Sequence, residues 1–164
     1  LGVFAHNANA ADYDYLLARA RAATDFVEQR RLWLLLAAAA DPAFAQHTLD
    51  MTLTDAIPRQ IRVQVLANVA GEHPRAAWDF LVAHRAEVEA MLDPLQRLEF
   101  PAGVASASSD PAIAAELEAY AADFPEGARP SIAGAAATIR LRAQTIRERM
   151  PAVETWIAAR QRAR

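Results

Sequence analysis

The chain has 164 residues, 17 basic against 20 acidic side chains and a formal net charge of −3. This length suits one domain or a short stack of repeats, and the near-neutral charge favours neither a nucleic-acid binder nor an acidic tail. The absence of cysteine excludes disulfides, thiol nucleophiles and thiolate metal sites. Alanine is abundant and every basic residue is arginine, a bias that fits a GC-rich genome.

Asp-Pro pairs mark three predicted helix starts, at residues 41–42, 93–94 and 110–111. Aspartate can cap the free N–H groups of a first helical turn, and proline fits the first position because its missing N–H would have been unpaired anyway. Four further prolines stand just ahead of patterns with a helical period: Pro58, Pro74, Pro130 and Pro151.

In chain order, apolar spacing predicts a series of short helices. The first five are predicted over residues 11–22, 24–39, 42–53, 58–70 and 74–92. Residues 94–109 are the least regular part of the chain, and within them the phrase PAGVASASS, residues 101–109, is predicted to be a connector. Three helices follow: one from Ile113 to Phe124, one from Ile132 to Met150, and a last one beginning at Pro151.

The pattern predicts an all-α fold. No segment alternates with period two between turn signals, so no sheet is expected. Short helices in antiparallel pairs suggest a HEAT-like α-solenoid of about nine helices, although the pairs share no clear sequence period. Residues 1–164 are taken as a single helical domain. The longest apolar run, residues 32–40, is about half of the roughly 20 residues that a bilayer crossing needs, so no membrane span is expected.

The stretch GEHPRAAWDFLVAHRAEVEAML, residues 71–92, is the strongest candidate for chemistry. A zinc protease helix shows His-Glu-x-x-His, whereas here Glu87 and Glu89 follow His84 and no second histidine is near. His84 is instead predicted to pack on an apolar stripe. The acids and arginines fall at i,i+4 spacing as exposed ion pairs: Arg75–Asp79 and Arg85–Glu89.

No catalytic or metal-binding residue is predicted in the rest of the chain either. His6 and His47 lack partners at ligand spacing. Ser106, Ser108 and Ser109 lack the Gly-x-Ser-x-Gly context of a nucleophile elbow. The five glycines are scattered singly, so there is no phosphate-binding loop.

The C-terminal end is rich in arginine. Arg140, Arg142 and Arg147 are predicted to form a basic face that docks on an acidic neighbouring domain, and the segment 110–126 is acidic without a basic residue. Nucleic-acid binding through this end is the alternative, but only Trp156 is available to stack on a base. Trp78 and Trp156 are both predicted to be buried anchors.

Several phrases, read in order, resemble the C-terminal helical domain of zinc aminopeptidases of the aminopeptidase N and endoplasmic-reticulum aminopeptidase type. Those that carry the resemblance are LWLLLAAAADPAFAQHTLDMTL, the AWDFL of residues 77–81, Gln96-Arg97-Leu98 through Gly103-Val104, Glu116 to Tyr120 through Phe124-Pro125, Thr138-Ile139-Arg140 and Trp156-Ile157. They cover roughly residues 32–157.

The resemblance implies a division of labour in a bacterial-type enzyme. Zinc and the catalytic residues would lie in an upstream catalytic domain, and this chain would be the C-terminal fragment of a longer multidomain protein. Its helices would cap the active site and shape a cavity for peptide substrates. The family often carries Arg-x-Gln-Asp before the Ala-Trp helix. Here residues 58–61 read Pro-Arg-Gln-Ile, which departs from that motif. Arg59 and Gln60 are the residues to which the resemblance would assign contact with a peptide carboxylate.

A free-standing HEAT-like scaffold that binds a protein partner on its concave face is the second hypothesis. Neither hypothesis fixes the compartment, which could be cytoplasmic or periplasmic.

Overall fold

Ten α-helices build the part of the chain that the computed structural model describes, residues 2–162, and no strand occurs in that part. The all-α prediction is therefore confirmed, with ten helices where about nine were expected. They are α1 (Gly2–His6), α2 (Ala10–Ala22), α3 (Phe26–Leu36), α4 (Pro42–Thr52), α5 (Arg59–Glu72), α6 (Pro74–Ala83), α7 (Arg85–Glu89), α8 (Pro94–Ala105), α9 (Pro111–Tyr120) and α10 (Arg129–Arg162). A single 3-10 turn, Glu126–Ala128, precedes α10.

The predicted Asp-Pro starts are confirmed as capped helix termini. The side chain of Asp41 accepts the N–H of Ala43, and that of Asp110 accepts the N–H of Ala112. Asp93 accepts two N–H groups at the start of α8. Each such cap contributes about 1 kcal/mol to helix stability.

Helices that follow one another in the chain pack side by side, and helices two apart in the chain order also contact each other. The pairs α2–α3, α4–α5, α5–α6 and α9–α10 are in contact, and so are the alternate pairs α1–α3, α3–α5, α4–α6, α6–α8 and α8–α10. Contacts restricted to near neighbours along the stack are the mark of a solenoid. None of the helices in the described residues combines the length and the apolar character that a bilayer crossing requires.

Residues 94–105 form a helix, so the connector predicted for the phrase PAGVASASS was wrong over residues 101–105. The helix begins with a capping box between Asp93 and Gln96 and contains Pro101. Ala102, Val104 and Ala105 are buried in it. Packing of these small side chains against neighbouring helices replaces the regular apolar period that the local sequence lacks.

Two predicted helix boundaries were also wrong. The helix predicted over residues 74–92 breaks at His84, where α6 ends and α7 begins. Pro151, predicted to start a last helix, lies inside the continuous helix α10. Proline has no N–H, so the carbonyl four residues before Pro151 lacks its usual helical hydrogen bond. That carbonyl lies on an exposed part of α10, where water can bond to it.

The tryptophans differ in their burial. Trp33 and Trp78 are fully buried, which confirms the prediction for Trp78. Trp156 is 57% exposed, so the prediction that it is a buried anchor was wrong. The physical reason is that α10 packs on α8 and α9 through its N-terminal half only. Ile139 is its last buried residue, and from residue 140 to 161 no side chain is buried.

Candidate functional site

The AWDFL segment anchors a polar cluster between α6 and α9. The indole Nε1–H of Trp78 donates to Oε2 of Glu116 at 2.7 Å. The guanidinium of Arg75 donates to the other oxygen of Glu116 at 2.9 Å, and it also pairs with Asp79 one turn along α6. Hydrogen bonds to Asp79 and then to Glu116 raise the pKa of Arg75 above its ordinary value. Glu116 thus joins α6 to α9.

A second group of side chains joins α7 to α9. Arg85 donates to Glu89 at 2.7 Å, and its guanidinium carbon lies 4.1 Å from the centre of the Tyr120 ring. The Tyr120 hydroxyl donates to the same Glu89 oxygen at 3.1 Å. Burial, more than any charge, raises the pKa of Tyr120 to about 12. The predicted pairs Arg75–Asp79 and Arg85–Glu89 are both confirmed, but Glu116 and Tyr120 were missed as their partners.

A groove of about 470 Å³ lies beside these two groups. Its walls combine the apolar surfaces of Val82, Ala83 and Ala119 with the polar groups of Arg75, Asp79, Glu116 and Tyr120. The charged groups in its walls already pair with one another. Such an arrangement fixes the relative position of helices, and it does not resemble an acid–base pair prepared for catalysis.

Glu89 gives the first testable prediction. Its pKa is lowered chiefly by the hydrogen bond from Arg85, so folding favours its ionised form. This contribution to stability is present above the ordinary pKa of 4.5 and is lost as the pH falls through the lower, folded-state value. We expect Glu89→Gln to lower the free energy of unfolding by about 1 kcal/mol at pH 7, with the loss shrinking below pH 4.5. Urea denaturation at several pH values measures it.

Glu99→Gln is the matched control, because Glu99 is an exposed carboxylate without an ion pair among the described residues. If Glu89→Gln and Glu99→Gln gave the same pH profile, the Arg85–Glu89–Tyr120 group would contribute nothing to stability.

The histidines do not come together. Nδ1 of His6 donates to the carbonyl of Ala38 at 3.1 Å, and Nε2 of His73 donates to the carbonyl of Ala39 at 2.8 Å. His47 lies beside the ring of Tyr13. His84 is half-buried with its ring centre 4.6 Å from that of Phe80, so it packs as expected, but at the break between two helices. Within residues 2–162, no three His, Asp or Glu side chains are grouped so that they could hold a metal ion.

The predicted peptide-contact residues lie at the start of α5. Arg59 and Gln60 are both exposed. The guanidinium of Arg59 makes one long hydrogen bond, 3.4 Å, to the carbonyl of Ala90. The two side chains lie next to each other on the surface, and their location neither requires nor prevents contact with a ligand.

The three arginines of the predicted docking face differ in their hydrogen-bond partners and in their packing. Arg140 makes a bidentate pair with Glu118 of α9, at 2.8 and 2.7 Å. Arg142 donates to the carbonyls of Ser106 and Ser108 in the link between α8 and α9, at 2.7 and 2.8 Å. Arg147 is exposed on the part of α10 that packs on no other helix. Two of the three arginines therefore bind within this domain.

Arg142 gives the second prediction. Because its two hydrogen bonds tie α10 to the link after α8, Arg142→Ala is expected to lower the free energy of unfolding by about 1 kcal/mol. It should also speed amide hydrogen exchange in residues 106–110. Arg147→Ala is the control and should change neither quantity when both are measured at low protein concentration, where the chain is monomeric. Equal effects of the two substitutions would mean that the contacts of Arg142 do not hold the link in place.

Taken together, the described residues define an all-α domain whose charged groups mainly join helices. Residues 1–141 match the family described as ERAP1-like C-terminal domain, and the chain belongs to this family. The resemblance to the C-terminal domain of such aminopeptidases is thereby confirmed. No curated protein matches the chain.

Proposed function

We propose that the chain is the non-catalytic C-terminal domain of a zinc-dependent aminopeptidase, in which it caps the active site and shapes the cavity that receives the peptide. The observation that carries the proposal is the family match over residues 1–141. Under the proposal, zinc is held in an upstream catalytic domain. The peptide substrates and the contact with that domain are part of the proposal.

The catalytic part of the proposal is tested with the isolated chain. An aminoacyl reporter substrate is incubated with the purified chain and added zinc, and no turnover is expected. Turnover that survives purification would contradict the proposal. The coding sequence upstream of Leu1 provides a second test. A His-Glu-x-x-His motif followed by a distal glutamate is expected there, and without it the free-standing scaffold becomes the better hypothesis.

The substrate-contact part concerns Arg59. Arginine offers a fork of N–H donors that fits a carboxylate, and the N-terminus of α5 adds a favourable dipole. We expect a peptide with a free C-terminal carboxylate to bind the chain roughly tenfold more tightly than its C-terminal amide, a preference of the size that one charge-assisted hydrogen bond provides. Isothermal titration calorimetry with the two peptides measures the difference.

Arg59→Ala should abolish this preference, whereas Arg19→Ala should leave it intact. Arg19 is a suitable control because it pairs with Glu28 in the α2–α3 layer, away from α5. Equal binding of the free and amidated peptides by the unaltered chain would remove Arg59 and Gln60 from the proposed cavity.

A further inference from the structure

The C-terminal half of α10 extends beyond the rest of the fold. Ile132, Ala136 and Ile139 are buried against the preceding helices, whereas no side chain from residue 143 to residue 161 is buried. We name residues 143–161 the projecting segment. It lies beyond residue 141, the last residue of the family match.

The projecting segment carries a regular apolar stripe. Its members recur at alternating steps of three and four residues: Ala143, Ile146, Met150, Val153 and Ile157. The four larger side chains are each between 42% and 44% exposed. A repeat of 3.5 residues is the signature of a coiled-coil seam, which needs a second helix. An isolated helix of this length is marginal in water, so a partner helix would also stabilise the segment.

We propose that the partner is a second copy of this chain, and that the two projecting segments form an antiparallel coiled coil. With the twofold axis between Met150 and Val153, Met150 of one copy packs on Val153 of the other. Ile146 packs on Ile157 of the other copy in the same way. The stripe is thus complementary to itself, and each of these two contacts occurs twice in the dimer.

The charges beside the stripe fit this arrangement. Arg147 and Glu154 lie on the same edge of the stripe, and in the antiparallel register Arg147 of each copy faces Glu154 of the other. The opposite edge carries Arg149 and Trp156, which face each other across the seam in the same way. Arg160 of the same chain already lies over the Trp156 ring at 4.5 Å from its centre, so the second face of the indole is left for Arg149.

A parallel pair fits less well. It would pair Arg149 of one copy with Glu154 of the other, but it would also bring Arg142 towards Arg147 and stack the two Arg160 side chains on the seam itself. The antiparallel pair instead places Arg160 opposite Ala143, whose small side chain leaves room for the arginine stem. Pro151 lies on the side of α10 away from the stripe, so it does not interrupt the seam.

The oligomeric state tests the proposal. Large side chains from two short segments make a small interface by the standard of the roughly 1,200–2,000 Å² that stable complexes bury, so the dimer should depend on concentration. In sedimentation equilibrium we expect the mass of the 164-residue chain to rise from 17.9 kDa towards twice that value over the micromolar range. Val153→Glu should abolish the rise. Ala152→Glu, on an exposed face away from the stripe, should preserve it.

A monomer at every concentration, with helix content unchanged by circular dichroism, would overturn the proposal and leave the stripe to a different protein. A dimer that survives Val153→Glu would also overturn it, since association would then use another surface.

The register is tested separately by charge and by cross-linking. Arg147→Glu and Glu154→Arg should each weaken the dimer roughly tenfold, and the double variant should restore it, because the Arg147–Glu154 contacts re-form with reversed charge. The chain has no cysteine, so single cysteines report contacts cleanly. A mixture of Met150→Cys and Val153→Cys should oxidise mainly to the disulfide between the two variants. A predominance of Met150→Cys homodimers would indicate parallel helices and refute the register.

Discussion

Replacing Trp78 with alanine is expected to lower the free energy of unfolding by about 3–5 kcal/mol. The indole is fully buried, and its ring packs edge-on against Tyr120 with ring centres 5.8 Å apart. Truncation would leave a cavity between α6 and α9, and Glu116 would lose one of its hydrogen-bond donors. Urea denaturation followed by circular dichroism measures the change.

Trp156→Ala is the matched control for this experiment. The same side chain is removed, but from a position that is 57% exposed. At low protein concentration, where the chain is monomeric, a loss below about 1 kcal/mol is expected. Losses of similar size for the two tryptophans would show that the burial of Trp78 between α6 and α9 adds little to the free energy of unfolding.

Ile139→Ala is expected to cost about 2–5 kcal/mol, the range for removing buried methyl groups from a core. Ile139 is completely buried and is the last residue of α10 for which this holds. Because α10 packs on α8 and α9 through this region, the substitution should also weaken protection of α9 in hydrogen exchange. Thermal and urea unfolding give the energetic effect.

Ile157→Ala makes the same chemical change on the same helix, at a side chain that is 44% exposed. Its effect on the monomer should stay within about 0.5 kcal/mol. If Ile157→Ala were as costly as Ile139→Ala at low concentration, the C-terminal half of α10 would have to pack on the body of the domain, contrary to the structure.

The helices that could be predicted are those whose signals are local. Asp41, Asp93 and Asp110 mark their helix starts because a cap and its target lie two or three residues apart. The extent of the helix at residues 94–105 was missed, although its start was predicted, because its second half is stabilised by the packing of small residues such as Ala102 and Ala105. Such packing leaves no periodic apolar pattern in so short a segment. Trp156 was misplaced for the opposite reason. The apolar stripe beside it is regular, but regularity does not say whether a partner belongs to the same chain.

The same distinction holds for the candidate site. The ion pair Arg75–Asp79 is one helical turn apart, so the spacing alone predicts it. Glu116 is 38 residues from Trp78 and Tyr120 is 31 residues from Glu89, so only the fold brings them together. An acidic residue opposite a buried tryptophan is a signal that could be found only once the order of the packed helices is known.

The two hydrogen bonds of Arg142 hold α10 at the point where the projecting segment begins. Residues 143–161 extend about 30 Å beyond it, at 1.5 Å per residue. Arg142 donates to the carbonyls of Ser106 and Ser108 at this point. If α10 tilted there by about 10°, its C-terminal end would therefore move by about 5 Å. A small change in the link between α8 and α9 would in this way produce a larger displacement at the far end of the helix, near Trp156 and Arg160.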